Sequence, residues 1–177
     1  MHILDIARNS VRAGATEIFI GIEEKPGTNE YIIRIDDNGC GMDAGELAKA
    51  TDPFYTSRTT RKVGLGLPLL KQNAESTGGR FTISSEKNKG TKVTAVFGFN
   101  HVDRPILGDI TGTLMILFLS SEKINFIYRH ETPLGRFNVT TSEIKKILDG
   151  VPMYDPKIRN FLTDYLSMNL KQIQISE

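Results

Sequence analysis

Asp36-Asp37-Asn38-Gly39-Cys40-Gly41-Met42 is the stretch from which the rest of the chain can be read. It follows Tyr31-Ile32-Ile33-Arg34-Ile35, an alternating run that predicts a half-buried strand. Behind it, Asp43-x-x-Glu46 has the form of a capping box opening a short helix. An acidic residue is thus held where a strand stops, and Gly39 and Gly41 let backbone pass close to a flat ligand. A carboxylate in that place can accept the exocyclic amino hydrogens of a purine. An ordinary strand-to-helix turn has the same form. What stands at set distances on either side therefore decides between them.

Toward the N-terminus, residues 3–13 predict a helix whose Leu4, Ala7 and Val11 face the core. Asp5, Asn9 and Arg12 fall on one polar stripe of it. That set suits ATP with Mg²⁺: the amide oxygen of Asn9 can ligate a metal that keeps phosphates and water. Arg12 can reach phosphate, and Asp5 can hold or deprotonate a water or hydroxyl. A solvated helix face with a polar pair would read the same way. Residues 17–24 predict a strand, joined through the turn at 25–29 to the Tyr31 strand as a hairpin.

Toward the C-terminus, a short helix near 46–50 leads to Asp52-Pro53-Phe54-Tyr55-Thr56-Ser57-Arg58-Thr59-Thr60-Arg61-Lys62. This segment has no periodicity and many hydroxyls and cations. Val63-Gly64-Leu65-Gly66-Leu67-Pro68 follows and opens a helix to about 76. A basic loop, then glycines, then a helix N-terminus is a physical recipe for polyphosphate; a surface connection is the plainer alternative. Gly78-Gly79 stops the helix, and strands at 80–86 and 92–99 form a second hairpin. Helices on one face of a mixed or antiparallel sheet make an α+β, two-layer α/β sandwich.

Composition sets the outer limits. The chain has 177 residues, a net charge of +1, 39% hydrophobic and 24% charged residues, which describes a soluble protein with a real core. No global basic field points to nucleic acid or to an acidic membrane surface. Cys40 is the single cysteine, which fits a reducing cytosol. Asp5 and Arg8 interrupt the only apolar stretch near the start, so no leader is expected and the expected location is cytoplasmic. The apolar run 106–119 is broken by Asp109 and too short to span a bilayer.

After His101 the character changes. Residues 102–105 resemble a linker, and 107–119 predict a buried helix. Short strands at 125–130 and 136–139 and a helix over 140–148 come next. Asp155-Pro156 opens a last helix with Ile158, Phe161, Leu162, Tyr165 and Leu166 as its apolar stripe. The expected division is residues 1–100 as one domain and 101–177 as a small C-terminal α/β appendage.

Taken together, the motifs resemble the GHKL ATPase superfamily: gyrase-type topoisomerases, large heat-shock chaperones, mismatch-repair ATPases and histidine kinases. The resemblance covers about residues 3–99. Asp5-x-x-x-Asn9 stands where the family's first box has an acid and a Mg²⁺-ligating Asn. Asp37-x-Gly39-x-Gly41 resembles its adenine box, Asp52-Pro53-Phe54 the box ahead of its ATP lid, Gly64-Leu65-Gly66-Leu67 its kinase Gly-Leu-Gly-Leu run, and Gly90-Thr91 its last box. Within the superfamily, Phe54, the Gly-Leu-Gly-Leu run and Gly78-Gly79 are most similar to the catalytic domain of sensor histidine kinases, and a stand-alone bacterial form is the expectation.

The resemblance implies a Bergerat-type ATP-binding fold with ATP (or ADP) and Mg²⁺ as ligands. It places Asn9, Arg12, Asp37, Gly39, Gly41, Met42, Phe54, Arg58, Arg61, Lys62, Gly64, Leu65, Gly66, Leu67 and Thr91 at the nucleotide, with Asn9 the metal ligand and Asp5 the catalytic carboxylate. Two residues depart from the pattern. Asp5 is one methylene shorter than the Glu of the hydrolysing branches, and Lys62 stands where kinases carry the first lid glycine. His130-Glu131-Thr132-Pro133-Leu134 is similar to a kinase His box but lacks two residues, and His130 is expected on a solvent-facing strand end. Three functions remain open: a kinase-like domain transferring phosphate in trans to an unidentified protein partner, a nucleotide-gated interaction module, and a degenerate structural subunit. Assembly as a homodimer stays open.

Overall fold

The computed structural model describes residues 2–52 and 65–175. Its centre is one six-stranded sheet built from β1 (Glu17–Lys25), β2 (Glu30–Asp37), β3 (Arg80–Glu86), β4 (Gly90–Gly98), β5 (Asn125–Thr132) and β6 (Gly135–Thr140). The strand order is β3-β4-β2-β1-β5-β6, with β1 and β5 parallel and every other pair antiparallel. The C-terminal strands are therefore built onto the same sheet, through the parallel β1–β5 pair.

Alternation decides which face is covered. Ile18, Ile20 and Ile22 of β1 pair with or sit beside Ile33 and Ile35 of β2, and those in turn face Val93 and Ala95 of β4. Phe126, Tyr128 and His130 of β5 continue the same row. Against this apolar face pack α1 (His2–Arg12), α3 (Gly66–Ser76), α4 (Ile110–Ser120), α5 (Thr141–Leu148) and α6 (Pro156–Ile173), in one continuous core. The short helix α2 (Ala44–Lys49) contributes no buried residue. The result is the α+β, mixed-sheet architecture with its helices on one side.

The opposite face carries Phe19, which lies across Gly21. Gly21 has no side chain to hold the ring off the sheet. The guanidinium groups of Arg34 and Arg129 cover it at 5.8 and 5.7 Å from the ring centroid.

Several expectations are corrected. The buried line of α1 is Ile3, Ile6, Ala7 and Ser10; Ala7 faces the core as expected, and Leu4 and Val11 pack against it while only partly buried. Two overlapping apolar rows exist on this helix, and the buried one ends in a serine that an apolar count passes over. Helix α4 begins three residues later than expected because Asp109 is its N-cap, accepting from the Gly112 N–H at 2.7 Å. In α6 the buried line is Leu162, Leu166, Leu170 and Ile173; Phe161 and Tyr165 are exposed and stacked on each other. His130 is buried rather than solvent-facing, because the parallel pairing with β1 turns residues 126, 128 and 130 inward.

Candidate nucleotide site

The site lies where β2 ends against α1. Asp37 faces the helix layer, and its carboxylate is held from three sides. The Ser10 hydroxyl donates to Oδ2 at 2.6 Å, while the backbone N–H groups of Gly39 and Thr91 donate to Oδ1 at 2.9 and 3.3 Å. An ionised carboxylate has about four acceptor positions. Three are used here, and one on Oδ2 is left for a ligand donor.

The loop after Asp37 is fixed as firmly. Asn38 accepts from the N–H groups of Thr16 and Glu17, both at 2.9 Å, and the Cys40 N–H donates to the Ala13 carbonyl at 2.8 Å. A Cβ on Gly39 would lie 2.8 Å from that of Ala13; one on Gly41 (φ +61°) would overlap the Glu86 carbonyl. Gly90 (φ +96°) likewise has no room beside the Asp37 carbonyl. These glycines are required by backbone crossing backbone, in addition to any ligand.

Ser85 ties the hairpin to this loop. Its Oγ accepts from the Met42 N–H at 2.8 Å, donates to the Gly90 carbonyl at 2.9 Å and lies 3.0 Å from Thr91 Oγ1. Neither Ser10 nor Ser85 was singled out by sequence. Both carried a signal: each is a polar residue standing in the phase of an apolar row, Ser10 after Ile3 and Ile6, Ser85 after Phe81 and Ile83.

Further along α1, Arg12 Nη1 donates to Asn9 Oδ1 at 3.0 Å. Asp5 is exposed and lies beside the start of α3, where a Cβ on Gly66 would stand 3.6 Å from that of Asp5. Leu65, the N-cap of α3, is exposed and makes no side-chain cap hydrogen bond. Leu67 packs partly into the core. Helix α1 thus runs from Ser10 at the Asp37 end to Asp5 at the α3 end, about 7.5 Å of rise. Phe54, Arg58, Arg61, Lys62 and Gly64 lie outside the described residues.

These residues fit a purine nucleotide at the level of donor and acceptor. The spare acceptor of Asp37 suits an amino group, and the uncapped start of α3 suits an anion. They also fit Mg²⁺ held mainly by phosphate and water, with Asn9 Oδ1 as a single protein oxygen. Among the described residues no group of three or more His, Cys, Asp or Glu side chains could hold a metal on its own.

Comparison with known proteins identifies the family and the fold. Residues 2–101 match the family model described as histidine kinase-, DNA gyrase B-, and HSP90-like ATPase. A sensor protein of Shewanella frigidimarina is 32% identical over 103 residues, covering 57% of this chain and 16% of that protein. The sensor protein kinase WalK of Staphylococcus aureus is 33% identical over 85 residues, covering 45% of this chain and 20% of the relative. The chain therefore spans about a fifth or less of the length of these relatives. The N-terminal domain of a DNA repair protein shares the fold, with a TM-score of 0.50 at 19% identity, covering 78% of this chain and 50% of that one.

Proposed function

The chain belongs to the histidine kinase-, DNA gyrase B- and HSP90-like ATPase family, and from that premise we propose that its ATP-binding, kinase-like domain works with Mg²⁺ and passes phosphate in trans to a partner protein. The observation that carries the reading is the Asp37 carboxylate, fixed by Ser10, Gly39 and Thr91 with one acceptor left over. In this reading Asp37 takes the adenine amino group, and Gly39, Gly41 and Met42 shape the wall around the base. Thr91 holds Asp37 in register.

Asn9 would offer its amide oxygen to Mg²⁺, which supplies charge neutralisation of the phosphates when bound. Arg12 would leave Asn9 or bridge from it to phosphate, joined by Arg58, Arg61 and Lys62. Leu65, Gly66 and Leu67 would present the first N–H groups of α3 to the phosphates, with Phe54 and Gly64 flanking the lid. Asp5 would orient the acceptor. Phosphoryl transfer is mostly positioning and electrostatics, so these parts suffice once a partner supplies the acceptor. Residues 1–100 are proposed as the nucleotide unit and 101–177 as the unit that adapts it to a partner, with cytoplasmic location and no nucleic-acid or membrane role.

One observation favours a second reading, a nucleotide-gated interaction module with slow or no hydrolysis. Asp5 makes no hydrogen bond or ion pair among the described residues, so nothing described orients it as a base. Incubation with γ-labelled ATP, Mg²⁺ and host lysate separates the two. Label on a partner, lost in Asp5→Asn, supports the kinase. Nucleotide-dependent partner binding without label or free phosphate supports the module, and ATP bound with no label on any partner overturns the transfer proposal.

A further inference from the structure

At the other end of the sheet a cavity of about 750 Å³ opens between β1, β2, the 99–108 connection, the start of α4 and the end of α6. Its sheet-side wall is Glu24, paired in register with Tyr31, whereas Asp37 is paired with Ile18. Positions 18 and 24 of β1 lie about 20 Å apart at roughly 3.3 Å per residue, so this cavity is separate from the nucleotide site.

The polar lining is unusual in being only half satisfied. The Tyr31 hydroxyl is buried and has no hydrogen-bond partner among the described residues. Burial, reinforced by the nearby charge of Glu24 and opposed by Arg104, pushes its pKa well up, so it remains a donor. His130 Nε2 lies 2.9 Å from Glu24 Oε1, and His130 Nδ1 lies 3.1 Å from the Tyr128 hydroxyl. One arrangement satisfies both contacts: Tyr128 donates to Nδ1, and Nε2–H donates to Glu24. Glu24 keeps acceptor capacity on the cavity side.

Arg104 stands on the other wall. Its guanidinium is stacked over the rings of Phe99 and Tyr31, at 4.4 and 5.2 Å from their centroids. It has no carboxylate partner among the described residues, and Glu24 pairs only with His130. A cation and an anion thus face one cavity without bridging to each other. Half-buried opposite charges normally pair, because an unpaired one loses solvation without return. Leu107, Ile110 and Leu170 supply an apolar surface beside them.

We propose that this cavity is a second ligand site, for a small dipolar molecule of the α-amino-acid class with an apolar side chain. The carboxylate of the ligand accepts from Arg104 and the Tyr31 hydroxyl, its ammonium donates to Glu24, and its side chain lies on Leu107, Ile110 and Leu170. A lone anion would face Glu24 and a lone cation would face Arg104. Only a dipole answers both walls.

The test is calorimetry on the whole chain with L-leucine, L-methionine and L-phenylalanine. The two halves of leucine, 4-methylpentanoate and 3-methylbutylamine, serve as controls. At least one amino acid is expected to bind, with each half of leucine weaker by about tenfold or more. Tyr31→Phe should weaken binding about fivefold or more while ADP affinity is unchanged. Because the hydroxyl has no partner among the described residues, ligand-free Tyr31→Phe should melt no lower than the parent. Any of four results overturns the proposal: no heat with the three amino acids up to about 10 mM, a half binding as tightly as the whole, full affinity in Tyr31→Phe, or a lower melting temperature for that variant without ligand.

Discussion

The Ser10 hydroxyl donates to Asp37 Oδ2 at 2.6 Å, joining the inner face of α1 to the last residue of β2. One short bond to a charged acceptor holds the carboxylate on which nucleotide recognition is proposed to depend. Removing it with Ser10→Ala is expected to lower stability by about 1–3 kcal/mol and to weaken ADP binding, since Asp37 loses the partner that sets its rotation. Denaturant unfolding and calorimetry on the same variant check both effects. Unchanged values in both would make the bond incidental.

The glycines of the loop separate packing from binding. Gly41 and Gly90 have positive φ, and an added Cβ would overlap a backbone carbonyl in each case. Gly41→Ala and Gly90→Ala are expected to destabilise by about 2 kcal/mol or more. Gly66→Ala, whose nearest neighbour would be Asp5 Cβ at 3.6 Å, should be neutral or slightly stabilising in its helix. Unfolding midpoints for the three variants, compared side by side, decide this; equal midpoints would contradict it.

Mg²⁺ dependence should rest on Asn9. The Asn9→Ala variant is expected to keep most of its metal-free ADP affinity and to lose the extra affinity that Mg²⁺ confers. Arg12, which donates to Asn9 Oδ1 at 3.0 Å, should behave differently. Arg12→Ala weakens ADP with or without Mg²⁺, because it removes a phosphate donor. Titrations with Mg²⁺ and with EDTA distinguish the two patterns.

Alkaline stability should report the buried tyrosines. Burial raises the pKa of Tyr31 and Tyr128 above the ordinary 10.0. The unfolded chain then releases these protons first as pH climbs, so the folded state loses stability above about pH 10 by ~1.4 kcal/mol per unit for each tyrosine. Below that pH the contribution is constant. Tyr31→Phe should flatten the decline by one proton, seen in urea midpoints between about pH 9 and 11.

Much of this arrangement was legible in the sequence because each element announced itself locally. The alternation of Tyr31 to Ile35 marked β2, and Asp43 and Glu46 form the expected reciprocal cap of α2. Asp155 with Pro156 opened α6 where expected. What stayed hidden depends on pairing between distant segments. The parallel partnership of β1 with β5 leaves no local mark, and it is what buries His130 against Glu24. Ser10 was passed over because its row on α1 reads as one polar residue too many. Its meaning appears only when β2 ends opposite it. The glycines were noticed for the right conformational reason but with an incomplete neighbour: Gly41 and Gly90 yield to protein backbone.

The most direct test of the account is the affinity of Asp37→Asn for ADP, measured by calorimetry beside the parent. The substitution keeps shape, and the remaining amide oxygen can still accept from Gly39 and Thr91. It turns the spare acceptor into a donor facing the adenine amino group. The account predicts a loss of about 1–3 kcal/mol in ADP affinity, and weaker binding of GDP than ADP to the parent. Parental ADP affinity in Asp37→Asn would contradict it and remove Asp37 from the adenine site.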